Sequence, residues 1–337
     1  MPYRLQNCLP ATSADRGRST AFVLILLILS GCGTSSESEE ASDDSTDGGP
    51  LSVAVTSFAL EQMASEVGGD AASVMQVIPI GQTSREWKPK PEAILELQQA
   101  DLILINGAGY EKWRATVSLP ASRVVDTASG YYDLFVRIPD FVTHQHGPDG
   151  AHSHPGTVWA TWLDPQLARA QLDRVVSELS RRDPTHADDF GRNAGEMRRQ
   201  LDGLEEQLSR IARESSGLRF RFVTDGPYYH YLLRHFDQPL TYLHWPASAD
   251  RPLTDEEKAE CLEAFDLEEA VVFLISSESA PGWHNFAREH CDVVVSVDLM
   301  DRISDTPQSL VTRLEANINN IGSALNLVRT FQASTEN

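Results

Sequence analysis

Leu51-Ser-Val-Ala-Val-Thr-Ser57 is a short run of small and β-branched side chains, and a helical apolar pattern follows it at 59–67. That pairing decides the fold class. A strand with one wet face alternates apolar and polar residues, whereas a nearly continuous apolar run belongs to a strand covered on both faces. Working outward, similar runs recur at 74–80, 102–106 and 123–126, with a helical pattern at 91–99 among them. A second set lies at 220–224, 240–245, 271–275 and 293–297, interleaved with helical patterns at 228–236, 254–265 and 283–290. Strands that alternate with helices form parallel sheets with helices packed on both faces. The expectation is an α/β chain of two similar lobes, each with a four-stranded parallel sheet.

Between the two sets the pattern is purely helical. One helix is expected at 166–181. A longer one at 186–215 carries Phe190, Ala194, Met197, Leu201, Leu204, Leu208 and Ile211 on a single stripe. About 30 residues at about 1.5 Å each give a rod of about 45 Å. Such a stripe suits a dimeric coiled coil or a backbone helix laid across both lobes. The chain has to pass from lobe to lobe here, which favours the connecting helix. The expected organisation is a first lobe at 51–165, connecting helices at 166–216 and a second lobe at 217–337.

The N-terminus reads as a targeting segment. Arg4, Arg16 and Arg18 precede an apolar core at 21–29, too short to span a bilayer as a mature helix. It ends in Leu29-Ser-Gly-Cys32, which resembles the lipobox of bacterial lipoproteins, where the cysteine is acylated and the chain is cut before it. Residues 1–32 are therefore expected to be a lipoprotein signal with Cys32 as the lipid attachment point. A retained anchor helix is the rival. Residues 33–50 hold carboxylates, serines and glycines with no large apolar side chain, the composition of an acidic, disordered tether. Either way the body faces outward in the cell envelope, on the periplasmic side.

The formal charge is −21, which argues against nucleic acid and mildly favours cations. Of the four cysteines, Cys8 falls in the signal and Cys32 at the anchor. Cys261 and Cys291 remain, either as a disulfide or as two buried thiols.

His144-Gln-His146-Gly-Pro-Asp-Gly-Ala-His152-Ser-His154 gathers four of the ten histidines in one stretch. Imidazole is the commonest side-chain ligand for zinc and similar ions. With Gly and Pro between the histidines, the segment is expected to be a loose arm that wraps a metal, neither strand nor helix. Open α/β sheets bind ligands at the carboxyl ends of their strands. That marks 84–87, 106–109, 225–230, 276–278 and Asp298 as further candidates. Asp225 precedes Gly226-Pro227 and reads equally as a helix cap. His230 stands at a helix start and is preferred as a ligand over His235, read as a solvated surface residue.

The chain resembles the metal-binding proteins of bacterial ABC importers for zinc and manganese. The resemblance rests on Gly81-Gln-Thr-Ser-Arg85-Glu-Trp87-Lys-Pro89-Lys-Pro91, on the run from Ala100 to Trp113 with Asn106-Gly107-Ala-Gly109, and on Trp162-Leu-Asp-Pro165 after a histidine-rich stretch. It covers about 51–330 and implies a two-lobed fold, a divalent metal as cargo, and a permease as partner. It also implies four metal ligands, and these carry over poorly. Arg85 stands where the family has a histidine, Ala160 where it has a second, and the third falls near Asp225 or Gly226. The aspartate is met by Asp298. A guanidinium cannot ligate a cation. The expected substitute set is His144, His146, His152 and His154 from the arm, with Asp225, His230 and Asp298 from the second lobe.

The expected function is a lipid-anchored solute-binding protein that captures a divalent metal, zinc first and Mn2+ second, and delivers it to an ABC permease. The alternatives are a binding protein of the same fold with a changed ligand, a metal buffer acting through the histidine stretch alone, or a metal-dependent hydrolase. No Gly-X-Ser-X-Gly, His-Glu-X-X-His or phosphate loop is present to support an enzyme.

Overall fold

A computed structural model describes residues 49–145, 151–243, 252–265 and 269–335. The segment expected to be a signal, Cys32 and most of the expected acidic tether lie outside the described residues, as does His146. Among the described residues no helix is long and apolar enough to cross a membrane.

The first lobe begins with β1 (Leu51–Val55), α1 (Phe58–Gly68) and β2 (Ala72–Gln76), followed by α2 (Pro91–Gln99), β3 (Leu102–Ile105) and β4 (Val124–Asp126). Its sheet has the order β2-β1-β3-β4, all parallel, with Val53 registered against both Val74 and Leu102. Ser57 ends β1 and starts α1 by accepting the Leu60 amide. The second strand lies N-terminal of its expected place, and Ile80, read as strand, is 68% exposed beyond it.

Two antiparallel strands follow, β5 (Arg137–Gln145) and β6 (Ala151–Thr157). This corrects the expectation of a loose arm. His144 is registered opposite His152, and Val142 opposite His154. The overlooked signal is Pro-Asp-Gly turn chemistry at 148–150, after a run that holds Ile138, Phe141, Val142 and Thr143.

Next come α3 (Pro165–Arg182) and α4 (Ala187–Glu214), close to the expected bounds. Phe190, Ala194, Met197, Leu201, Leu204 and Leu208 of the stripe are all buried, and Ile211 packs partly buried at its end. The second lobe holds β7 (Phe220–Thr224), α5 (His230–Leu233), β8 (Leu240–Tyr242), α6 (Asp255–Phe265), β9 (Ala270–Ser276), α7 (Pro281–His290) and β10 (Val293–Val297). Its sheet order, β10-β9-β7-β8, repeats that of the first lobe with each strand advanced to its counterpart. A last helix, α8 (Leu310–Thr335), was not foreseen. The long α4 packs on α1 of the first lobe and on α8 of the second, so its stripe is buried within one chain. Burial of six such side chains accounts for the helix without a partner chain.

Cys261 and Cys291 are both buried free thiols. Burial pushes the Cys291 thiol up to about 11, away from the reactive thiolate.

Candidate functional site

The carboxyl ends of both sheets meet at a seam. From the first lobe come the loop after β2, the turn after β3, and residues 158–164 leading into α3. From the second come the ends of β7, β9 and β10. Their backbones are stitched directly. Thr83 and Arg302 form an antiparallel bridge, the Gly81 amide donates to the Ile303 carbonyl at 2.8 Å, and the Ile303 amide donates to Gln82 at 2.9 Å. The Trp162 indole donates to the Leu299 carbonyl at 2.9 Å.

Arg85 lies at the centre of the seam. Its Nη2 is 2.6 Å and its Nε 3.2 Å from the same oxygen of Asp301, a residue 1% exposed. The other Asp301 oxygen accepts from the Tyr110 hydroxyl at 2.7 Å. The guanidinium carbon stands 4.7 Å from the centre of the Trp159 ring. Burial opposes the charge on Arg85, but Asp301 more than offsets it, and the guanidinium is held above its ordinary pKa. Tyr110, Trp159, Trp162 and Tyr228 wall the pair in, with neighbouring ring centres 5.1–5.5 Å apart.

Three local features build this arrangement. Gly107, Ala108 and Gly109 all take positive φ, turning the chain so that Glu111 accepts the Asn106 and Gly107 amides. The turn delivers Tyr110 to Asp301. A Cβ on Gly107 would sit 2.0 Å from the Asp126 carboxylate, at a φ of 81°. Gly107→Ala is therefore expected to cost about 3 kcal/mol, from left-handed strain and overpacking together; a urea midpoint equal to wild type would contradict the geometry. Gly226 has ordinary extended backbone, but a Cβ there would meet the Tyr228 ring at 2.2 Å. Met300 takes a φ of 52° and donates its amide to Asp298, which turns Asp301 back onto the first lobe.

The expected ligands fare differently. Both oxygens of Asp298 are held by Arg313, at 2.6 and 2.8 Å, so this aspartate is already neutralised. Asp301 is the carboxylate that faces the first lobe, and sequence reasoning missed it. Asp225 does not cap a helix: its oxygens accept the Tyr229 hydroxyl at 2.9 Å and the Ser276 amide at 2.8 Å, and burial pushes its pKa up to about 7. His230 turns Nδ1 to the Pro227 carbonyl at 2.9 Å and its ring to Tyr242; burial lowers its pKa. Ala160 is fully buried and offers no donor. His235, expected at the surface, is instead nearly buried, with Nε2 3.0 Å from Asp164. Asp164, Glu205 and His235 form the metal-capable trio among the described residues. Asp164 there already receives the Arg234 Nε at 2.5 Å and caps α3 through the Gln166 and Leu167 amides. That is a charge-balanced joint between α3, α4 and the second lobe, and Arg234 repels a cation from it.

The hairpin is rooted at the same seam. The Val158 amide donates to the Val136 carbonyl at 2.9 Å. The Tyr231 hydroxyl of α5 donates to the Val158 carbonyl at 3.1 Å and accepts the Val136 amide at 3.2 Å.

Solved structures share this architecture. The SBP FpvC from Pseudomonas aeruginosa, in complex with Mn2+, aligns with a TM-score of 0.68 at 20% identity, over 82% of this chain and 99% of that one. The Zn(II)-bound ZnuA-like domain of Streptococcus pneumoniae AdcA aligns at 0.66 and 16% identity, over 82% of this chain and 100% of that one. At such identities the likeness is one of fold. The iron-binding protein YfeA of Yersinia pestis is 30% identical over 207 residues, 58% of this chain and 60% of its own. The manganese-binding lipoprotein MntA of Halalkalibacterium halodurans is 29% identical over 191 residues, 56% of this chain and 57% of its own. The chain thus matches less than two thirds of the length of these relatives. The family described as "ZnuA: Zinc-uptake complex component A periplasmic" matches residues 53–324, which takes in both sheets and the helices that join them. Its members are solute-binding proteins of ABC importers and not enzymes, and the chain belongs to this family.

Proposed function

We propose that this chain is a lipid-anchored solute-binding protein of the cell envelope that captures a divalent metal, zinc first and manganese second, and hands it to the permease of an ABC importer. Family membership supports the cargo class, and the lipobox-like Leu29-Ser-Gly-Cys32 supports the anchor. The observation that carries the choice of ligands is the hairpin register, which sets His144 opposite His152. Directly paired residues of an antiparallel ladder bring their Cβ atoms within about 5 Å, and zinc needs donors near 2.0–2.2 Å. In this reading His144, His152 and His154, with His146 beyond the described residues, take the metal on the hairpin itself. Asp225, His230 and Asp298 keep their structural partners.

Calorimetric titration of the metal-stripped mature domain with zinc and manganese tests this. The His152→Ala/His154→Ala variant is expected to lose at least about tenfold in zinc affinity. Equal affinity in the variant would remove the hairpin from the site. A second reading, the same fold with a changed ligand, is favoured by the Arg85–Asp301 pair at 2.6 Å, which occupies the carboxylate that faces the first lobe. No heat with zinc, manganese or iron would select it.

A further inference from the structure

We infer that Arg85 is a tethered cation that fills the interlobe seam and holds the two lobes closed without any cargo. Four observations converge. The pair with Asp301 joins residues 216 apart in sequence, one from each lobe, and its side chains are only 14% and 2% exposed. The carboxylate is fully used, by Arg85 on one oxygen and Tyr110 on the other. The backbone stitches at Gly81, Gln82 and Ile303 lie within four residues of Arg85 and two of Asp301. Arg302, the residue next to Asp301, also donates to the Gly81 carbonyl and pairs with Glu278 at 3.4 Å.

A bound cation between two lobes closes them by giving a carboxylate a counter-charge that water would otherwise supply. Here the counter-charge is covalently part of the first lobe, so its effective concentration never falls and no cargo is needed. The aromatic wall of Tyr110, Trp159 and Tyr228 keeps water from competing for the pair. A free divalent ion offered to this seam meets a guanidinium already hydrogen-bonded to the carboxylate at 2.6 Å, whose positive charge repels it. The seam of this chain is therefore closed to metal, and closure is constitutive. The inference concerns lobe closure and does not depend on whether the hairpin binds zinc.

Hydrogen exchange read by mass spectrometry on the mature domain tests it, using peptides that contain the Gly81 and Ile303 amides. Peptides from β1 and β9 serve as references for global opening. In the wild-type protein the two seam amides are expected to exchange at the same rate, within about twofold, in excess zinc and in chelator. In Arg85→Ala and in Asp301→Asn they are expected to exchange at least about tenfold faster while the references stay within about twofold, and Arg85→Lys should fall between. Should Arg85→Ala speed the references as well, Asp301→Asn, which keeps a group for Tyr110 to bond, decides. Seam amides unchanged in Asp301→Asn would overturn the latch. So would wild-type seam amides that speed up when chelator is added, since that result makes the metal the closing cation. Failure of the metal-capture reading appears instead as absent zinc heat, which exchange at the seam does not report.

Discussion

Trp162→Ala is expected to lower the free energy of unfolding by about 4 kcal/mol, the largest single effect of any substitution considered. The ring is fully buried between Tyr110 and Trp159, and its N–H bonds the Leu299 carbonyl across the seam. Truncation removes a large apolar ring and also strands a buried carbonyl, and the two costs add. Trp162→Phe keeps most of the ring contact and loses only the hydrogen bond, so it should cost about 1–3 kcal/mol. Urea unfolding separates the two variants. A Trp162→Ala midpoint close to wild type would mean that the seam contributes little to folding.

Stability is expected to fall as pH rises from about 4 to about 7, by on the order of 3 kcal/mol from each of two buried carboxyls. These are Glu111 and Asp225, both pushed up to about 7, chiefly by burial. Glu111 accepts from the Thr56 hydroxyl at 2.7 Å and from the Asn106 amide at 2.8 Å, which offsets part of the burial cost. A carboxyl raised in the folded state binds its proton more tightly there than in the unfolded chain. The folded state is therefore favoured most below the unfolded pKa near 4, and the advantage is gone once pH passes the folded value near 7. Asp164 works in the opposite sense: although burial raises it, His235 and Arg234 hold it below the usual carboxylate range, so its contribution is lost only in acid. Urea midpoints for wild type, Glu111→Gln and Asp225→Asn between pH 4.5 and 8 check this. The amide variants should flatten the slope, and a wild-type midpoint that rises over this range would refute the assignment.

Much of the fold was legible from periodicity. Leu102-Ile-Leu-Ile105 is short, apolar throughout and half β-branched, which favours a strand covered on both faces, and all four of its side chains are buried. The α4 stripe was legible for the same reason, since a helical repeat of 3 and 4 leaves one continuous apolar face. The hairpin was hidden because its histidines drew the reading toward metal chemistry and away from strand pairing. The helix α8 was hidden because 310–335 mixes Asn, Thr and Ser with its apolar residues, and only packing on α4 and β10 picks out the buried set.

The site divides along the same line. Residue types at single positions could be read directly: Arg85 and Ala160 stand where imidazoles were expected, and a guanidinium cannot be a ligand whatever surrounds it. What Arg85 binds could not be read. Asp298 and Asp301 differ by three residues on one turn, and both are acidic. The positive φ of Met300 and the presence of Arg313 on α8 give Asp298 to α8 and Asp301 to the first lobe. Local pattern determined the two lobes, the helix between them and the loss of the expected imidazoles, because each depends on near neighbours in the chain. The partner of Arg85, the burial of His235 and the closure of the seam were decided only by tertiary structure, because each joins side chains that 70 or more residues separate.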